Sequence, residues 1–206
     1  MKYCGIDASS SCSGLCLFED NKLIESTRIK SDKGIGFREA SCQMIERVIP
    51  IIKQYNPDII YMEDVPTFTK QGSKGGNILQ PLIALGSIQG IFYLELKHKL
   101  GYDIEFLDLS AWRSGLGFLN GSATERNRDH QKDKAVRFAN ETFGLDLYYQ
   151  LGKKSVKDSD DEAEAICLCW SKIIGGYDKA ILDRIEKEKI VLERKERNVN
   201  KKKFKI

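Results

Sequence analysis

Four acids have types and positions that can do chemistry: Asp7, Glu63, Asp161 and Glu164. Asp7 closes the apolar run KYCGID and is followed at once by Ala8, Ser9 and Ser10. Glu63 closes a second such run, DIIYME. Ligands gather at the carboxyl ends of strands in α/β sheets, so acids there are candidates for a site. Asp161 and Glu164, in DSDDEAEAICLCW, are three residues apart and stack on one face of a helix. Acids in a first turn also cap a helix and suit its dipole, so this pair is ambiguous by itself. The small or apolar Ala163, Ala165, Ile166 and Cys167 imply that the helix start is packed. Crowding Asp158, Asp160, Asp161 and Glu162 beside Glu164 is costly without a counterion. The four chosen acids form an all-oxygen donor set without imidazole, which selects magnesium or manganese. A pair of such ions activates water and stabilises the leaving oxygen in phosphodiester cleavage. The small residues after Asp7 leave room for a phosphate backbone.

The composition is consistent with this reading. The 206 residues suffice for one domain and a tail; hydrophobic residues make up 41% and charged residues 31%, as in ordinary globular proteins. No apolar stretch approaches the length of a membrane span. The chain starts directly with a strand pattern, so no signal peptide and a cytoplasmic location are expected. None of the six cysteines forms a CxxC pair and there are two histidines, His98 and His130, which argues against structural zinc and for reduced thiols. Net charge is +3, but residues 179–206 hold eleven Lys/Arg against five Asp/Glu, leaving the body slightly acidic. That tail reads either as a solvated helix or as an arm that adds phosphate affinity.

Several elements must position the acids. KYCGID, SGLCLFED and KLIESTRIK read as three strands of an antiparallel meander with tight turns. Phe37 to Tyr55 has helical spacing and is broken by NPD. DIIYMED does not alternate, which predicts a central strand covered on both faces. A polar loop, TFTKQGSKGGN, precedes a long apolar helix from Ile78 to Lys99, and DIEFLDL is a fifth strand. Further helices are expected at about 129–142, 161–174 and 179–197. This order predicts an α/β fold with a mixed five-stranded sheet, three antiparallel strands then parallel ones, flanked by helices. The expected division is a domain at 1–176 and a basic helical extension at 177–206.

GIDASSSCSGLCLF, YMEDVP, LGSIQG and DEAEAI, in this order, resemble a RuvC-type Holliday junction resolvase over about residues 2–174. GID and the Gly-containing second strand match the first motif, Glu63-Asp64-Val65 the second, Leu85-Gly86 to Gly90 the helix after it, and Asp161-x-x-Glu164-Ala the final paired acids. Glu164 stands where many members carry Asp, and Asp158 with Asp161 is the other pair at this spacing; Asp158 or Asp160 is the alternative ligand. The resemblance implies an RNase H-like fold, a homodimer and Mg²⁺-dependent nicking of branched DNA, with Mn²⁺ able to substitute. The absent zinc ligands and basic tail resemble phage members, which implies the cytoplasm of a bacterial host.

The resemblance also implies how DNA would be held. Lys70 and Lys74 are expected on phosphates, with Gly72, Gly75 and Gly76 letting backbone amides approach. Phe68 is expected to wedge into the junction, or else to anchor the loop. Lys134 is assigned the stabilisation of charge on the phosphate and Lys132 a DNA contact, with Lys132 the alternative for the catalytic part. Arg113, Arg126 and Arg128 are further phosphate candidates, and Trp112 reads as core. Gly86 and Gly90 suggest close helix packing, within the chain or across a dimer. Competing readings are a flap, fork or RNA–DNA hybrid endonuclease on the same fold, and a non-catalytic DNA-binding module. A sugar-kinase-like ATPase needs a second phosphate loop that this chain lacks.

Overall fold

The computed structural model describes residues 1–65, 79–152, 155 and 157–203, without the side chains of 79–81 and 196–203. Strands β1 (Lys2–Asp7), β2 (Cys12–Glu19) and β3 (Lys22–Lys30) are followed by α1 (Phe37–Tyr55) and β4 (Ile59–Glu63). Then come α2 (Leu79–Phe92), continued as a π-helical segment over Tyr93–Lys99, and β5 (Ile104–Leu107). The chain proceeds through α3 (Leu109–Gly115), α4 (Arg128–Phe143), α5 (Asp160–Ile173) and α6 (Gly176–Lys203). The sheet order is β3-β2-β1-β4-β5. β1 and β3 run antiparallel to β2, whereas β4 runs parallel to both β1 and β5.

Strand alternation divides the interior into two cores. Cys4, Ile6, Leu15, Leu17, Ile60 and Met62 face α1 and α2. Cys16, Phe18, Tyr61 and Leu107 face α3, α4 and α5. Both faces are covered, which is why the β4 run Ile60-Tyr61-Met62 carries apolar residues at every position. The expected α/β sheet is therefore observed. Asn56 caps α1 in the left-handed conformation before Pro57 can continue it.

Three elements differ from expectation. The long helix expected over 78–99 loses its α-helical register at Tyr93 and winds as a π-helix. Helix α3 was not anticipated; Asp108 starts it by accepting a hydrogen bond from the Ala111 amide at 2.8 Å. Helix α6 begins three residues before the expected Lys179, because its first turn packs on α3, with Gly115 against Gly176. Arg184 holds it there by an ion pair to Asp108 at 2.8 Å.

The approach of α5 to the sheet admits no side chain at two strand positions. A Cβ on Gly5 would lie 2.5 Å from the Ala165 carbonyl oxygen and 2.7 Å from Cys169 Cβ. A Cβ on Gly14 would collide with the Asp161 carbonyl. Gly14→Ala is therefore expected to cost about 1–3 kcal/mol or more, because backbone cannot yield as a flexible side chain can. Urea denaturation of the two proteins measures it.

Candidate active site

The β1–β4 register pairs Ile6 with Met62, and both point into the α1/α2 core. The next residue of each strand is an acid, Asp7 and Glu63, and alternation turns both toward α5. Gly14 is the partner of Asp7 in the β1–β2 ladder. Its missing side chain lets the first turn of α5 settle at Asp161. Glu164 is nearly one turn further on and is 6% exposed. Three elements thus bring Asp7, Glu63, Asp161 and Glu164 into one electrostatic cluster.

The cluster is short of positive charge. Burial, then repulsion from Glu164, Glu63 and Asp161, pushes the Asp7 carboxyl well above the usual carboxylate range, against an opposing pull from Lys132. Burial and then Glu164 push Glu63 up to about 7, despite Arg113, a Trp112 hydrogen bond and Arg128. Asp161 is raised by burial and Asp160, with the Cys12 thiol and Lys132 opposing. The Cys12 thiol is itself pushed up to about 12, first by burial and then by Asp161.

Two cations reach the acids from the helices. Arg113 of α3 pairs with Glu164, with 12% and 8% of the two side chains exposed. Its guanidinium also lies over the Trp112 ring, 5.0 Å from the centroid. Lys132 of α4 pairs with Asp160. Neutral groups orient Glu63: Trp112 Nε1 donates to its carboxylate at 3.2 Å, and Gln89 donates to its backbone carbonyl at 2.5 Å. Two other acids have partners of their own. Asp158 precedes the helix and accepts from the Ser155 amide at 2.6 Å. Glu162 accepts from Ser26 of β3 at 2.6 Å. The alternative pair of Asp158 with Asp161 therefore does not form a helix face.

Other expected site residues lie elsewhere. Lys134, expected at the acids, instead donates to the carbonyls of Phe118 at 2.7 Å and Asn120 at 3.1 Å. Two residues of helix amount to a rotation of about 200°, so Lys132 and Lys134 cannot face the same group. Arg113, expected on a phosphate, is held by Glu164 within the site. Phe68, Lys70 and Lys74, with Gly72, Gly75 and Gly76, lie outside the described residues. Arg126 and Arg128 are exposed, and Arg128 lines a cavity beside Asp161. Trp112 is fully buried, as its reading as core implies. Its bond to Glu63 was not anticipated, although a buried indole N–H needs a partner.

Among the described residues, no three His, Cys, Asp or Glu side chains stand close enough to ligate one ion as they are placed. The chemistry of the donors nevertheless fits a hard divalent cation. The acids are all oxygen donors, and burial with neighbouring acids raises both Asp7 and Glu63, so a cation among them would favour their ionised forms.

Solved structures with this arrangement of elements are known. The chain is similar to Thermus thermophilus RuvC, solved in complex with a Holliday junction substrate, at TM-score 0.56 and 12% identity over 87% of this chain and 96% of that one. The fold is RuvC-like. A second Thermus thermophilus RuvC structure is similar at TM-score 0.55 and 12% identity, over 87% of this chain and 98% of that one. No family model matches the sequence, and no curated protein matches it.

The raised acids predict a pH dependence of stability. Glu63 titrates near 7 in the folded chain and at about 4.3 in an unfolded one. Between those values the folded state holds more protons, so stability falls as pH rises through the window. Without divalent ions, the melting temperature should be higher at pH 5.5 than at pH 8. At pH 8, Glu63→Gln should raise it, and added Mg²⁺ should stabilise the wild type more than the variant. Differential scanning calorimetry reads all three.

Proposed function

We propose that the protein is a metal-dependent endonuclease that cleaves phosphodiester bonds in branched DNA, with the Holliday junction as substrate and Mg²⁺ as cofactor. The observation that carries this reading is the convergence of Asp7, Glu63, Asp161 and Glu164 at the strand ends with too little positive charge to balance them. The RuvC-like fold supports it, since one of its solved relatives was captured with a Holliday junction.

In this reading the four acids would hold the metal, which supplies activation of water and stabilisation of the leaving oxygen. The chain's own groups have separate tasks. Gln89 and Trp112 keep the Glu63 carboxylate directed into the site. Cys12 donates to Asp161, and the Gly14 gap sets the depth at which α5 presents it. Lys132 and Arg113 provide positive charge where a scissile phosphate would develop its negative charge, so the stabilising lysine is Lys132. Lys134 braces the turn that leads into α4. The basic second half of α6 provides a further attraction for the DNA backbone.

The active form in this reading is a homodimer. Helix α2 is apolar around its circumference, yet Ile83, Gly86 and Gly90 of α2 and Leu94 of the π-helical segment that continues it are all exposed, three to four residues apart. A Cβ on either glycine would meet no atom within 4 Å. The same helix of a second copy fits such a small-residue groove, with Ile83 and Leu94 as knobs.

Cleavage of four-way junction, flap, RNA–DNA hybrid and linear duplex, with Mg²⁺ or with chelator, tests the activity. Metal-dependent cutting of the junction in preference to the linear duplex is expected; equal cutting of both would defeat the branched-DNA assignment. Asp7→Asn and Asp161→Asn should each lower the rate by several orders of magnitude while junction binding persists. Lys132→Ala should cost about 10²- to 10³-fold, and Lys134→Ala much less. Leu94→Glu should shift the sedimenting species from dimer to monomer.

A further inference from the structure

We propose that the cavity beside the acids receives one unstacked nucleotide of the cleaved strand, with Tyr149 as the platform for its base. This inference rests on the nuclease reading and names how that site would engage its substrate. The cavity measures about 560 Å³ and reaches Asp161. That is the size of a small-molecule pocket, not of a duplex groove. Besides the first turn of α5, which carries Asp160 and Asp161, its walls come from four separate segments. The β1–β2 turn supplies Ser9 and Ser11, the end of β3 supplies Lys30, the start of α4 supplies Arg128 and Asp129, and the segment before α5 supplies Tyr149.

The lining has the chemistry of a nucleotide. Hydroxyls and cations meet phosphate and sugar oxygens. The half-buried Tyr149 ring packs against the α4/α5 core on one side and borders the cavity on another, so it is held in place before any ligand arrives. Fixed aromatic rings stack any base. Asp129 is acceptor-only when ionised, so it can accept from a base N–H, whether an exocyclic amino group or a ring imino N–H. A base enters such a pocket only by leaving its stack, and that costs least where pairing is already interrupted. The cavity therefore favours a nucleotide at a branch point over one in continuous duplex, which ties substrate shape to a position next to Asp161.

The cavity holds acids as well as cations, so phosphate affinity depends on a divalent ion. The test is accordingly run in Ca²⁺, with a DNA trinucleotide carrying central 2-aminopurine titrated by fluorescence. Tyr149→Ala should bind it roughly 5- to 100-fold more weakly than the wild type. Tyr149→Phe, which keeps the ring, should recover most of the loss. In Mg²⁺, junctions with an abasic residue at successive positions around the cut should identify one position where base loss slows the wild type but not Tyr149→Ala. Equal trinucleotide affinity of wild type and Tyr149→Ala would overturn the proposal, as would indifference to every abasic position. A wild type that cuts no branched DNA would instead defeat the nuclease reading, and the trinucleotide comparison would still decide the cavity.

Discussion

The depth at which α5 lies on the sheet governs the rest of the site. Gly5 and Gly14 are the two points where the helix meets strand backbone with nothing between them. Gly14 is also the ladder partner of Asp7. The residue whose absent side chain admits the helix is therefore next to the acid that the helix must meet. A side chain at either glycine would lift Asp161 and Glu164 together, since they share a turn of one rigid element. Ser26, through Glu162, and Arg28, through the Asp158 carbonyl, hold the same helix start from the β3 side.

That packing brings together charges that oppose it. Asp7, Glu63 and Asp161 are all raised first by burial and then by neighbouring acids, Glu164 among them in each case, so the fold disfavours their ionised forms. Arg113 and Lys132 offset part of this, but each is paired with one acid of a larger group. Two cores, one on each sheet face, stabilise the chain well away from these acids and hold the strand ends in place. Stability made in the interior supports a cleft whose own contribution is unfavourable.

The sheet faces divide the work. One face carries α1 and α2 and presents an apolar stripe outward. The other carries α3, α4 and α5, and every side chain of the cluster that does not come from a strand comes from there, apart from Gln89 of α2. Helix α6 docks on α3 through Arg184 and Asp108, so the basic extension starts from the face that carries Arg113 and Lys132.

The strands, α1, the approximate positions of α4 and α5, and the presence of acids at the ends of apolar runs are legible from local sequence alone. These features are local: alternation, helical spacing, a breaking NPD and acids closing apolar runs all lie within a few neighbouring residues. Helix α3 stayed hidden because its signal is one cap and a single turn or two of weakly patterned residues. Only the tertiary structure decided which cations serve the acids. Lys132 and Lys134 look equivalent in a string, and the rotation of α4 about its axis separates them. Arg113 looks like a surface phosphate contact until α3 folds it under Glu164. The Trp112 bond to Glu63 and the cavity at Tyr149 likewise join residues far apart in the chain. Such contacts depend on where whole elements come to rest, and that is set by core packing and close backbone approach.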